Sequence, residues 1–351
     1  MLRYTLKRIL LALVTAFIIL TLTFILIKAL PISLKISASV GDRWGFYMSQ
    51  VDLGYFSVIV KPETEHYVPN VKIIESMVID HDEYFFYSRP IIEQYFSWVG
   101  NIFTKWDWGT STSLEMGASA IRLIGRRLPT TVSINAIVVV LSVPLGILLG
   151  IYAGLKKNTW IDHTISTLIM IFVSIPGFVV ITFLIYFFAY QTGWLPPSWP
   201  SVEAPAGTRA LGYIIPVLAL SFGSICGYGR GVRAELCEVM SSEYLLLART
   251  KGLTKNQAIV RHALRNAFVP ILPSILAEFI GLLSGAIVLE RLYGIPGVGN
   301  IYFEALYNTP RDYNVLMVDM AIVTIIGLLA GILFDLSYGF IDPRIRMGAK
   351  K

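Results

Sequence analysis

The sequence predicts an all-α integral membrane protein of six spanning helices, with a large extracytoplasmic insertion after the first. Three observations carry this reading. Of 351 residues, 55% are hydrophobic and only 15% charged, where soluble domains carry about 25% charged residues. Six apolar runs have roughly the 20-residue length of a helical span: Ile9–Leu30, Leu128–Ala153, Ile165–Tyr190, Tyr213–Tyr228, Phe268–Leu289 and Val315–Phe340. The net charge of +6 sits beside those runs, where the positive-inside rule accounts for it, so it does not point to nucleic acid.

In chain order, residues 1–30 hold Arg3, Lys7 and Arg8 ahead of the first run, with no small-residue cleavage site after it. That predicts an uncleaved span rather than a signal peptide. Residues 31–127 are polar and aromatic-rich, with mixed strand and helix signals. They are long enough for a small domain. Residues 128–340 form the five-span core, and 341–351 a short basic tail. Lys156 and Lys157, the basic residues between Arg230 and Arg265, and Arg344, Arg346, Lys350 and Lys351 all fall on the N-terminal side of the membrane. That side is expected to be cytoplasmic. Arg122, Arg126 and Arg127 disagree, but they follow a long translocated segment, where the rule is weak. The two cysteines, Cys226 and Cys237, lie in and beside a span and predict no disulfide framework.

Glycines recur at four-residue spacing: Gly146, Gly150 and Gly154; Gly223, Gly227 and Gly231; Gly281 and Gly285; Gly327 and Gly331. Such spacing lets helices approach closely in lipid. Pro144, Pro176, Pro216, Pro270 and Pro273 are expected to kink or unwind their helices.

Between spans four and five lies SEYLLLARTKGLTKNQAIVRHALRNAFVP, too short and too basic to cross a bilayer. Ser241 or Ser242 caps a helix beginning at Glu243, with Lys251 in its last turn. Gly252 supplies a left-handed stop, and Thr254 with Gln257 fits a capping box that starts a second helix. The first helix is apolar almost all round, through Tyr244, Leu245, Leu246, Leu247 and Ala248. It needs either a protein partner or a bed in its own chain.

This stretch resembles the cytoplasmic EAA loop (residues 241–266 here) of the ABC-importer permease family that serves dipeptides, oligopeptides and nickel. Ala248 and Gly252 stand at the motif's central Ala and Gly, and Leu264 at its later Leu; His262 and Arg265 replace an Ile and a Pro, as in the peptide subgroup. The resemblance extends through Trp98, Asp107–Ser111 and Arg127–Pro129. It continues through Glu290, Pro296, Gly297 and Gly299 in an outer re-entrant loop, and through Asp335, Asp342, Pro343 and Arg344. Residues 33–89 resemble nothing named. The resemblance implies the MetI-like fold of type I importers in a bacterial inner membrane, both termini cytoplasmic. It implies that Tyr244, Leu245, Leu247, Ala248, Arg249, Lys251, Gly252 and Leu253 engage an ATPase. The implied partners are a second similar permease, two ATPase subunits, an extracytoplasmic substrate-binding protein and membrane lipid. ATP and Mg would be bound on the ATPase subunits, with no cofactor and no catalytic residue on this chain. A phosphate loop G-x-x-x-x-G-K-[ST] is indeed missing from it.

Intramembrane carboxylates are costly and mark function by default. Glu278 and Asp319 are therefore candidates for the translocation path, with Glu290 in the re-entrant loop as a third; pairing between helices is the plainer alternative. The Asp80–Glu83 run, with Glu65 and His66 upstream, has metal-ligand residue types, but a solvated acidic loop explains it more simply, and no metal site is assigned. Nickel, glutathione and sugar remain alternative substrates to peptides. An ion-coupled secondary transporter and a membrane scaffold are the readings from other classes.

Overall fold

The computed structural model describes residues 2–30, 39–62, 70–283, 285–308 and 311–341. Glu65, His66 and the basic tail after Ile341 lie outside them. The chain divides into two compact units: Met1–Ala12, Leu128–Asn300 and Ile326–Lys351 in the first, Leu13–Arg127 and Ile301–Ile325 in the second.

Among the described residues, four helices are long and apolar enough to cross a bilayer. They lie in α1 (Leu2–Ala29), α4 (Ala120–Leu155), α7 with α8 (Ala206–Leu211, Ile214–Met240), and α15 (Tyr313–Ile341). The third predicted run is a broken pair, α5 (Trp160–Val173) and α6 (Gly177–Leu184, continuing as a π-helix to Gln191), bent by 93°. Pro176 causes the break: it lacks an N–H and biases Ile175 away from helical geometry. The other prolines act more mildly than expected. Pro144 sits inside continuous α4, while Pro216 and Pro273 occupy the first turns of α8 and α12 (Ile271–Leu283), whose N–H groups have no helical partner anyway. The fifth predicted run is divided between α12, 13 residues long and only about 20 Å, and α13 (Ile287–Tyr293). Gly285 lies between them with φ +82°, and a Cβ there would meet the Gly299 nitrogen at 2.5 Å.

Within the first unit, α4 and α8 approach closely. A Cβ on Gly146 would meet Tyr228 Cβ at 2.6 Å, one on Gly150 would meet Gly229 O and Val232 Cβ at 2.7 Å, and one on Gly154 would meet Leu236 at 3.0 Å. The other predicted glycine series behave differently: among the described residues, nothing lies within 4 Å of a Cβ built at Gly223, Gly227, Gly281, Gly327 or Gly331. Spacing shows which glycines share a face, and only packing shows which face meets a neighbour. Arg8 of α1 pairs with Asp335 of α15 at 3.2 Å, so the start of the first span and the end of the last lie side by side.

The second unit adds to the helices what the mixed signals of the outer segment foreshadowed. It carries a three-stranded antiparallel sheet of order β1-β3-β2, from β1 (Phe56–Pro62), β2 (Ile73–Ile79) and β3 (Asp82–Ser88). Helix α2 (Val40–Asp52), opened by a Ser39–Asp42 capping box, and α3 (Ile91–Lys105) flank it in sequence. Its core is aromatic, with Phe24, Tyr47, Tyr55, Phe86, Tyr95 and Trp98 all buried. Asp80 and His81 take positive φ (49° and 71°) between Ile79 and Asp82, a two-residue type I′ hairpin turn. The acidic run is thus a turn plus alternating strand residues. Among the described residues no three His, Cys, Asp or Glu side chains converge on a metal position. Of the arginines that defied the charge rule, Arg126 pairs with Glu115 at 2.9 Å and Arg127 with Glu304 at 3.3 Å.

The α4–α8 contact predicts a selective response to a small side chain. Gly150→Val should cost about 1–3 kcal/mol through overpacking, whereas Gly227→Val, facing open space, should leave the unfolding midpoint in detergent unchanged. Equal midpoints for the two variants would contradict the packing.

Candidate functional site

The cytoplasm-assigned segment forms as its local chemistry dictates. Helix α9 covers Glu243–Thr250, with Ser242 at the capping position, Lys251 closing the helix, and Gly252 at φ +97°. The Ser242 hydroxyl does not cap the helix; it donates to the Val239 carbonyl at 2.5 Å. Thr254 and Gln257 make the reciprocal capping box, at 3.3 and 3.1 Å, that opens α10 (Lys255–Ala258). A π-helical turn, Ile259–Ala263, and α11 (Leu264–Ala267) carry the chain toward α12.

Leu245 decides how α9 sits. It is 5% exposed and packs with Leu236 of α8, Ala258, Ile259, Ala263 and Ala267, with Leu253 at the edge of the same cluster. Ala248 is half-buried, while Tyr244, Leu246, Leu247, Arg249 and Lys251 are exposed. The helix therefore has both a bed and a bare apolar face, Leu246 being 62% and Leu247 55% exposed. A cavity of about 230 Å³ beside it is lined by Ser241, Leu246, Arg249 and Lys255 among others.

Two contacts that the sequence reading missed tie this bed to the rest of the unit. Asp162, fully buried in the first turn of α5, receives Arg233 of α8 through Nε at 2.5 Å and Nη2 at 2.8 Å, plus the Asn158 N–H at 3.0 Å. Lys157 Nζ donates to the Cys237 carbonyl (3.3 Å) and the Ser241 hydroxyl (3.2 Å). Two oppositely charged residues, each just outside an apolar run and 71 positions apart, were the available signal.

The predicted path carboxylates fall in distinct settings. Both Glu278 oxygens on α12 are buried and accept no hydrogen bond among the described residues. Tyr228 of α8 lies in electrostatic reach but donates to the Ser274 carbonyl at 3.4 Å. Asp319 is buried on α15, in the second unit. Glu290 on α13 is buried and fully engaged: it accepts from Thr131 Oγ1 (3.2 Å) and the Asn300 N–H (2.9 Å), while Thr131 Oγ1 accepts the Val298 N–H at 2.9 Å. A Cβ on Gly297 would meet that carboxylate at 2.5 Å. Glu290 thus clamps the loop before α14 (Val298–Tyr307) onto α4. At the α5–α6 break, an apolar cavity of about 700 Å³ is lined by Leu141, Phe172, Phe183, Leu218 and Phe222 among others, with the Ser221 hydroxyl as a polar member.

The family described as "Binding-protein-dependent transport system inner membrane component" matches residues 146–347, which include α9, the Asp162–Arg233 pair and Glu290. The chain belongs to this family. As a member of this permease family it is a multi-pass component of a membrane transport system and not an enzyme. It is 32% identical over 273 residues to a probable peptide ABC transporter permease of Sinorhizobium fredii, covering 78% of this chain and 86% of that one. It is 29% identical over 348 residues to the dipeptide transport system permease protein DppB of Lactococcus lactis, 99% and 100% covered. It is 34% identical over 258 residues to the oligopeptide transport system permease protein OppB of Escherichia coli, 73% and 81% covered. A chain of the inward-facing MetNI methionine ABC transporter superposes with TM-score 0.51 at 17% identity, over 63% of this chain and 97% of that one. That likeness shows the fold.

Breaking a buried pair by removing one partner is strongly destabilising, while replacing both with apolar residues is often neutral. Asp162→Ala should therefore cost about 3 kcal/mol in denaturant unfolding, and Asp162→Ala with Arg233→Met should recover most of it. A double variant no better than the single would remove the ion-pair account.

Proposed function

We propose that this chain forms half of the translocation pathway of an ATP-driven importer of dipeptides and oligopeptides. A second, similar permease supplies the other half, two ATPase subunits bind and hydrolyse ATP with Mg, and an extracytoplasmic binding protein delivers substrate. The observation that carries the substrate class is the full-length match to a dipeptide permease, 99% of this chain and 100% of the relative. Both termini are cytoplasmic in this reading, which the Arg8–Asp335 contact supports.

Helix α9 is the coupling element. Its bare apolar face suits docking on an ATPase, and Leu245 transmits the load to α8 and the α10–α11 segment. Tyr244, Leu247, Ala248, Arg249, Lys251, Gly252 and Leu253 complete the contact or its stop. The Asp162–Arg233 pair passes movement of α8 to α5, whose break with α6 is the natural place for rocking between states. Glu278 and Asp319 face the path in this reading, and Glu290 holds the neighbouring loop in place.

Uptake of a labelled dipeptide by proteoliposomes holding the assembled complex should require ATP on the ATPase side and survive an uncoupler. Collapse with the ion gradient, independent of ATP, would favour a secondary transporter. Ala248→Arg or Gly252→Asp should lower uptake at least tenfold or abolish co-purification of the ATPase; retention of both properties sinks the coupling role. Glu278→Gln should change the relative uptake of acidic, neutral and basic peptides by several-fold. Unchanged ratios across the three classes would take Glu278 out of selectivity.

A further inference from the structure

Helix α3 carries an apolar face that no described residue of its own unit covers. Ile92, Phe96 and Phe103 are 61, 66 and 85% exposed and fall on one side of the helix at i, i+4 and i+11. Trp106, closing the helix, is also exposed. Polar Glu93 and Thr104 are exposed on an adjacent strip, and Gln94, Tyr95 and Trp98 are buried. The buried strip says where α3 lies. Tyr95 shares a hydrogen bond with Thr21 at 2.7 Å, and Tyr95 and Trp98 meet the Phe24 ring at centroid distances of 5.5 and 5.1 Å. Thr21 and Phe24 are not beyond the first span but inside it, since the apolar helix runs from Thr5 to Ala29.

The depth follows from helix geometry. The 25-residue span is about 37 Å long, against about 30 Å of hydrocarbon. Centred, it projects about 4 Å at each end. Phe24, five residues from Ala29, lies about 7.5 Å from the helix end, and Thr21 about 12 Å. Both sit a few ångströms inside the hydrocarbon boundary, the depth at which interfacial amphipathic helices ride. The same stretch of α1 presents exposed Ile18, Leu22, Ile25 and Leu26, so the helix on which α3 packs already needs acyl chains around it.

We propose that α3 is an interfacial membrane helix whose Ile92–Phe96–Phe103 face is immersed in the acyl chains of the leaflet at the C-terminal end of α1. Trp106 sits at its rim, where aromatic rings prefer the headgroup region. Its role is to seat the sheet-bearing segment on the membrane surface. No run of apolar residues announces it, because only one strip of the helix is lipid-facing.

The test uses the assembled complex in phosphatidylcholine nanodiscs, with Cys226 and Cys237 replaced by alanine. Nitroxide labels are placed singly at Phe96→Cys, Phe103→Cys and, on the polar strip, Thr104→Cys. Collision with oxygen should exceed collision with a water-soluble nickel chelate several-fold at positions 96 and 103, with the order reversed at 104. A chelate-dominated label at 96 and 103 means water, and a label reached by neither means a protein neighbour; either result overturns the proposal. With the unaltered chain, a photoactivatable phosphatidylcholine should leave adducts on the peptide spanning Ile91–Lys105. A peptide free of adducts would likewise end it.

Discussion

The close contact of α4 with α8 is the constraint on which the first unit depends. Three glycines a turn apart bring the two backbones so near that Tyr228, Gly229, Val232 and Leu236 fill the space a side chain would need. Lipid offers little hydrophobic drive between helices, so this dispersion contact, made possible by missing Cβ atoms, has to supply the association. Everything attached to α8 inherits its position: Arg233 for the ion pair, Tyr228 beside Glu278, and Leu236 as the floor under Leu245.

Buried carboxylates do three different jobs along the chain. Asp162 is neutralised by a bidentate arginine. Glu290 and Asp312 are satisfied by backbone N–H groups and hydroxyls, Asp312 accepting from the Ser111 hydroxyl at 2.5 Å and from the Thr112, Ser113 and Leu114 amides at 3.0 to 3.2 Å. These are clamps for irregular backbone that would otherwise leave donors orphaned. Glu278 differs: both its oxygens are buried, and its neighbour is the Tyr228 hydroxyl of α8. An apolar site leaves a carboxylate without backbone support only at a cost, which sets Glu278 apart from the clamps.

Much of the α9–α11 segment was legible in the sequence. Its helix starts and stops are local chemistry: Gly252 with its positive φ, the Thr254–Gln257 box, and the apolar run Tyr244–Leu247. The resemblance to importer permeases, read from the same residues and from the loop around Glu290, agreed with the family match. The sheet in the outer segment was not resolved into strands beforehand, because its short runs lack clean alternation and its packing is aromatic from several elements at once. Pro176 was one of five suspected breakers, yet the large bend is at that position. Pro144, in the middle of α4, leaves that helix continuous, so the presence of a proline does not by itself mark the bend.

The sequence by itself determined the class of molecule and the helix–glycine–helix form of α9 through α11. These depend on composition and on interactions within a few residues, which chain order encodes directly. Only the tertiary structure decided which face of α9 is bedded and which is bare. It alone decided which glycines touch, that Asp162 belongs to Arg233, and that α3 grips α1 inside its apolar span. Each of these joins residues distant along the chain, where many partners of the right chemistry compete and packing alone selects one.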